Sequence, residues 1–126
     1  MDTKLIFLVF CSTCLVTTNS IAQISSKDKQ LWKEYAVCTC ITKAMQRDSV
    51  SNLNDISASI YFDYLKYSPK AFTIVNKYAI SLASRVKSTG YADYGSAKPY
   101  FFECFKLWNI AETEKVLRGI YRYKNK

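Results

Sequence analysis

Between residues 28 and 47 apolar side chains recur at every third or fourth position: Leu31, Tyr35, Cys38, Ile41 and Met45. That period lays them along one stripe of a helix, with Lys33, Lys43 and Arg47 on the opposite side. The pattern predicts a first helix from about Asp28 to Arg47, ended by Asp48-Ser49. A second is expected from about Ser51 to Leu65, with Leu53, Ile56, Ile60 and Tyr64 as its stripe and Tyr61 and Phe62 assigned to the core. Ser68-Pro69 marks the next start, because serine can cap free amides and proline suits the first helical position, where no N–H is needed. The third helix then carries Phe72, Val75, Ala79, Leu82 and Val86, and Gly90 is expected to stop it as a left-handed residue.

Residues 88–98, STGYADYGSAK, read as the one long loop. Pro99 opens a fourth helix with Phe101, Cys104, Phe105 and Trp108 inward. Asn109-Ile110-Ala111-Glu112 fits a capping box, Asn109 as cap and Glu112 reaching back. A fifth helix uses Val116, Leu117 and Ile120, and Gly119 within it costs about 1 kcal/mol relative to alanine. The basic tail YRYKNK is expected to fray. Beyond residue 22 the only breakers are Pro69, Pro99, Gly90, Gly95 and Gly119. Such sparse punctuation predicts an all-α fold, a compact bundle of about five helices.

The first 22 residues follow a different pattern. Lys4 precedes an apolar run of 12 residues, Leu5 to Val16, interrupted at Ser12 and Thr13, and Ser20-Ile21-Ala22 supplies small residues for cleavage. This is the layout of a secretory signal peptide. The run is shorter than the ~20 residues a membrane span requires. Phe10 and Thr13, which precede Cys11 and Cys14, do not suit a lipoprotein cleavage box. Residues 1–22 are therefore read as the signal peptide and 23–126 as the mature helical domain, with no stable membrane insertion after cleavage. Of the five cysteines, Cys38, Cys40 and Cys104 remain in an oxidising compartment.

The formal net charge is +8. A basic surface fits nucleic acid, an anionic membrane or an acidic protein. Secretion argues against nucleic acid, and the cations are scattered without a dense block, so a solvated basic face competes with a functional patch. The chain contains no histidine, which removes the commonest general base and the usual partner of a catalytic cysteine or serine. Three cysteines without histidine make a poor closed zinc site. No glycine-rich phosphate loop or paired carboxylates appear, and Cys38-x-Cys40 has the wrong spacing for a redox loop. No catalytic residue, metal or cofactor is assigned.

The cysteines then read as structure. Three thiols in an oxidising space imply one bridge. Cys38 and Cys40 point roughly 200° apart on a helix, whereas a bridge needs β-carbons about 4 Å apart. Cys104 therefore pairs with Cys38 or Cys40, closing a loop worth about 4 kcal/mol in the chain-entropy model. Periodicity alone favours Cys38, nearer the centre of the apolar stripe.

Three segments carry a resemblance. Cys40-Ile41-Thr42-Lys43-Ala44-Met45 lies near the end of the first helix. Ser57-Ala58-Ser59-Ile60-Tyr61-Phe62-Asp63-Tyr64 is followed by Pro69 and Ala71-Phe72. Tyr94-Gly95-Ser96 precedes Cys104-Phe105-Lys106-Leu107-Trp108. In order and spacing, over about residues 31–121, the chain resembles the periplasmic amidase immunity proteins of type VI secretion systems. It departs from them in Met45, in the additional Cys38, in an acid-free Cys104–Trp108 segment and in its basic charge. The resemblance implies a small helical protein, often a homodimer, that reaches the periplasm. There it binds a cognate cysteine-type peptidoglycan amidase toxin and blocks its active-site groove. It also implies a Cys40–Cys104 disulfide, with Cys38 outside the bridge.

Inhibition of this kind requires a rigid protrusion and no chemistry. The loop at 88–98 suits it. Tyr91 and Tyr94 offer large, stiff contact area, Gly95 and Ser96 allow close backbone approach, and Asp93 accepts hydrogen bonds. Asp63 and Tyr67 are second contact candidates, with a capping or half-buried role as the competing reading. A rival function keeps the same fold: a periplasmic helical module that binds an anionic envelope component through its basic surface.

Overall fold

The first helix, α1, runs Ser26–Arg47 in a computed structural model that describes residues 23–50, 56–87 and 98–125. Its start is chemically marked. The Asp28 amide donates to Ser25 Oγ at 3.1 Å, which satisfies one free N–H group, and the Asp28 carboxylate sits in the first turn, where the helix dipole favours it. Its end is a double turn. Val50 N–H donates to the Met45 carbonyl at 3.0 Å and Ser49 N–H to the Gln46 carbonyl at 3.1 Å, with Ser49 at φ 56°. This is a Schellman arrangement with serine where glycine is usual.

Four helices follow among the described residues: α2 (Ser57–Tyr64), α3 (Pro69–Ser84), α4 (Tyr100–Trp108) and α5 (Ala111–Ile120), then a 3₁₀ turn at Tyr121–Tyr123. The fold is an all-α bundle with α1 at its centre. α1 packs against α2, α3 and α4, and α3 also packs against α5 and the 3₁₀ turn.

Trp32 is fully buried, and its ring lies 4.8 Å from Phe72, 5.2 Å from Tyr67 and 5.7 Å from Tyr35. Burying side chains of this size contributes on the order of 1.5–3 kcal/mol each, and favourable ring pairs add to it. Surface ion pairs contribute far less, so this aromatic cluster dominates the attachment of α3 to α1. The predicted α3 stripe, Phe72, Val75, Ala79, Leu82 and Val86, is buried throughout. Three buried hydroxyls are satisfied: Thr39 donates to the Tyr35 carbonyl at 2.9 Å, and Tyr78 and Thr113 share a 2.7 Å bond that ties α3 to α5.

The disulfide joins Cys40 to Cys104, with α-carbons 5.9 Å apart and a separation of 64 positions in sequence. Cys38 is half-buried and interacts electrostatically with Tyr61 of α2. Periodicity had favoured Cys38 because apolar residues occur nearly all round α1. Its stripe against α3 and α4 is rotated toward Trp32, Tyr35, Ala36, Cys40 and Ala44, all buried.

Other expectations change. Ile56, Ile60 and Tyr64 are exposed, as is Phe62, while Leu65 and Tyr67 turn inward. α2 is too short to bury a stripe, and the chain after it carries the core contacts. Tyr61 is partly buried against the core, and Leu53 lies outside the described residues; so does Gly90, but it is not the stop of α3, which already ends at Ser84 with Arg85 as its cap. Phe101 and Phe105 are exposed rather than inward. Cys104 and Trp108 already fill the inward face of this short helix, and the two phenylalanines stack on each other one step around it, 5.4 Å apart. No capping box forms at Asn109. Its amide donates to the Phe105 carbonyl at 3.2 Å, and Glu112 pairs with Arg85 instead. Ser68 makes no side-chain cap bond, although Pro69 takes the first helical position. The tail does not fray through residue 125. Ser68 N–H donates to the Tyr123 carbonyl and Asn125 N–H to the Lys66 carbonyl, each at 2.9 Å, and Lys124 reaches Asp28.

Candidate protein-interaction surface

Tyr91, Asp93, Tyr94, Gly95 and Ser96 lie outside the described residues. The structure does define the stem that carries them, and that stem is fastened from one point, the C-terminal end of α1. The Schellman turn leaves Asp48 half-buried beside the returning strand of the loop. Its carboxylate accepts from Arg47 Nε at 2.8 Å, from Lys98 Nζ at 2.8 Å and from the Tyr100 hydroxyl at 2.9 Å. Arg47 also donates to the Ala83 carbonyl at 2.7 Å and to the Val86 carbonyl at 3.3 Å. One arginine thus holds the outgoing stem and its neighbouring aspartate holds the returning one.

Electrostatics agree with that geometry. The Arg47 hydrogen bond, then that of Lys98, hold the Asp48 carboxyl far below its ordinary value, outweighing burial. Burial and the Asp48 charge push Tyr100 up. A carboxylate so held is a permanent anion and a poor proton acceptor. The network is therefore suited to fixing a loop base and unsuited to acid–base chemistry.

Nothing in the helical periodicity pointed to Arg47, Asp48, Lys98 and Tyr100 as a set. The available signal was small: an arginine and an aspartate in succession at a helix end, and a lysine and a tyrosine flanking Pro99. Beside the returning stem, α4 presents Phe101 and Phe102, each 65% exposed, and Phe105 at 40%. Lys33 lies 5.7 Å from the Phe105 ring centroid. Adjoining exposed aromatics of this kind mark interaction surfaces more often than chance scatter does.

Asp63 and Tyr67 are placed elsewhere. Asp63 is exposed near the end of α2, and its carbonyl accepts from Lys66 Nζ. Tyr67 is 4% exposed, packs on Trp32 and donates from its hydroxyl to Asp28 at 3.0 Å. Tyr67 therefore takes the inward role, and little of it is left to touch a partner. Asp28 and Asp48 are 20 positions apart on α1, which at 1.5 Å per residue is on the order of 30 Å. Tyr67 and the Lys98–Tyr100 segment are thus held at opposite ends of α1.

At the Asp28 pole a shallow cleft of about 460 Å³ is lined by Tyr35, Phe62, Tyr67, Pro69, Phe72, Thr73 and Asn76. It holds no carboxylate, cysteine or lysine. A second, of about 350 Å³, lies between the start of α1 and the α4–α5 junction, where Lys29 pairs with Glu114. Among the described residues no three of His, Cys, Asp and Glu gather where a metal ion would bind, and no helix is long and apolar enough to cross a membrane.

A family model described as type VI secretion system (T6SS), amidase immunity protein matches residues 30–117. Comparison with curated proteins and with solved structures gave no match.

Proposed function

The chain belongs to the type VI secretion system amidase immunity family, and we propose that it protects by seating residues 88–97 in the active-site groove of a cysteine-type peptidoglycan amidase. The observation that carries this reading is the Arg47–Asp48–Lys98–Tyr100 clamp, which fastens both ends of the loop to α1. A protrusion held at its base loses less freedom on binding, so more of its contact energy appears as affinity. Tyr91 and Tyr94 fill the groove, Asp93 accepts from donors beside the catalytic groups, and Gly95 and Ser96 let the backbone approach. Phe101, Phe102 and Phe105 extend the contact along α4. Asp63 and Tyr67, at the far pole, are not part of it.

The chain supplies shape and no bond-making step. Residues 1–22 act as a signal peptide, and the mature domain works in the periplasm, where the Cys40–Cys104 bridge is at home. The test is direct. Tyr91→Ala with Tyr94→Ala is expected to leave helical circular dichroism unchanged and to weaken amidase binding by about 2 kcal/mol or more, the scale of interface hot spots. In co-expression the unchanged chain prevents lysis by the periplasmic amidase and the double variant does not. Unchanged affinity in the double variant would remove the loop from this reading.

A further inference from the structure

α5 carries two acids, and both are spent on its flanks. Glu112 makes a paired bond with Arg85 at the end of α3, at 2.9 and 3.2 Å, and Glu114 pairs with Lys29 of α1. Thr113, Leu117 and Ile120 face the core. The outward side is left to Lys115, Arg118 and Arg122, spaced three and four apart and all exposed. The ordered tail brings in a fourth cation. Arg122 and Lys70 lie 5.0 and 5.2 Å from the centre of the same Tyr123 ring. Among the described residues none of these four forms a salt bridge, whereas Lys29, Arg47, Arg85, Lys98, Lys106 and Lys124 each do. The scattered charge of the sequence thus becomes, in the fold, a ridge about 10 Å long from Lys115 to Arg122.

We infer that this ridge, Lys115, Arg118, Arg122 and Lys70, is a steering surface for a strip of carboxylates on the amidase partner. The inference rests on the immunity reading above and adds to it where the partner's charge lies. Two features favour a protein over a lipid surface. The ridge has no exposed apolar side chains on α5 beside it to enter a membrane, since Val116 and Leu117 face inward. It also begins one turn after Glu112, whose partner Arg85 adjoins Val86, the residue that Arg47 holds at the end the reading above gives to the amidase. Exposed cations placed this way act mainly on encounter rate and weakly on residence time.

The experiment uses the full mature chain and its cognate amidase in rapid-mixing measurements from low to high salt. Lys115→Glu, Arg118→Glu and Arg122→Glu together are expected to lower the association rate at low salt about tenfold and to flatten its salt dependence. The dissociation rate and helical circular dichroism should be unchanged. A control of equal charge change, Lys27→Glu, Lys43→Glu and Lys66→Glu, is expected to act several-fold less. An equal effect of the control would overturn the inference, because net charge alone would then account for the rate. So would capture of the unchanged chain by vesicles of anionic phospholipid, lost in the ridge variant while amidase association stays the same. Absence of any amidase binding by the unchanged chain would remove the immunity reading and this inference together. Binding at rates indifferent to the ridge would remove this inference alone.

Discussion

The two ends of α1 are built alike and used differently. At one end Asp28 accepts from Lys124 at 2.7 Å and from the Tyr67 hydroxyl at 3.0 Å; at the other Asp48 accepts from Lys98 at 2.8 Å and from the Tyr100 hydroxyl at 2.9 Å. The Asp28 set closes the molecule. It draws the tail against residues 66–68 through a short antiparallel bridge and seats Tyr67 over Trp32. The Asp48 set includes Arg47 as well and fastens the described residues on either side of 88–97. The same chemistry thus serves packing at the Asp28 end and, in the function proposed, presentation at the Asp48 end. Identical residue types at the two ends say nothing about which is functional; what they hold does.

The largest expected effect falls on the Asp48 pole. Cys40→Ala with Cys104→Ala removes the link between α1 and α4, with a stability loss of up to about 4 kcal/mol measured by urea denaturation. Local opening, followed by hydrogen exchange, should appear first in α4 and the returning stem and later in the 66–68 and 123–125 pairing. Next in size is a pair of exchanges that separates the two roles. Asp48→Asn should weaken amidase binding by about tenfold, the scale on which a loosened loop forfeits its preorganisation. Asp28→Asn should lower the melting temperature and leave binding unchanged. Equal effects on binding would end the distinction between the poles.

Acid sharpens the same contrast. Burial alone would raise Asp28, but the bonds from Lys124 and Tyr67 outweigh it and hold the carboxyl below its ordinary value. Asp48 is held further below, first by Arg47 and then by Lys98. A carboxylate depressed in the folded state contributes stability that is fully present above about pH 4 and is lost as pH falls through the folded value. On acidification the Asp28 pole should therefore release before the Asp48 pole. Stability measured against pH should flatten between about pH 4 and 2 in Asp28→Asn, and less so in that interval in Asp48→Asn.

The smallest effects come from the backbone. Gly119 lies on the exposed side of α5 with nothing within 4 Å of an added β-carbon, so Gly119→Ala should add about 1 kcal/mol on the way to the tail. Ser49 holds a left-handed conformation that glycine adopts without cost. Ser49→Gly should therefore add about 0.5–1 kcal/mol at the Asp48 pole. Thermal denaturation reads both.

The helices were legible because their punctuation is local. Ser68-Pro69 started α3 where it does start, and every residue of the predicted α3 stripe is buried, since that helix has one partnered side. α1 has three neighbours, so its apolar residues nearly encircle it and the phase of the stripe was not legible. Trp32, the centre of the core, and the choice between Cys38 and Cys40 both depended on that phase. The family resemblance supplied the disulfide that periodicity missed. A break between α3 and α4 was legible in the sequence. Its clamp was not, because Arg47 and Asp48 meet Ala83, Val86, Lys98 and Tyr100 only through packing of elements far apart in sequence. Tyr67 could not be told from a surface tyrosine, because its burial depends on a tail that looked free.

The account turns on which pole meets the amidase. Hydrogen–deuterium exchange of residues 23–126, alone and saturated with the cognate amidase, reads this directly. The strongest slowing is predicted in residues 85–100, with residues 65–68 unchanged. Slowing centred on residues 57–68, with 85–100 exchanging as in the free chain, would contradict it.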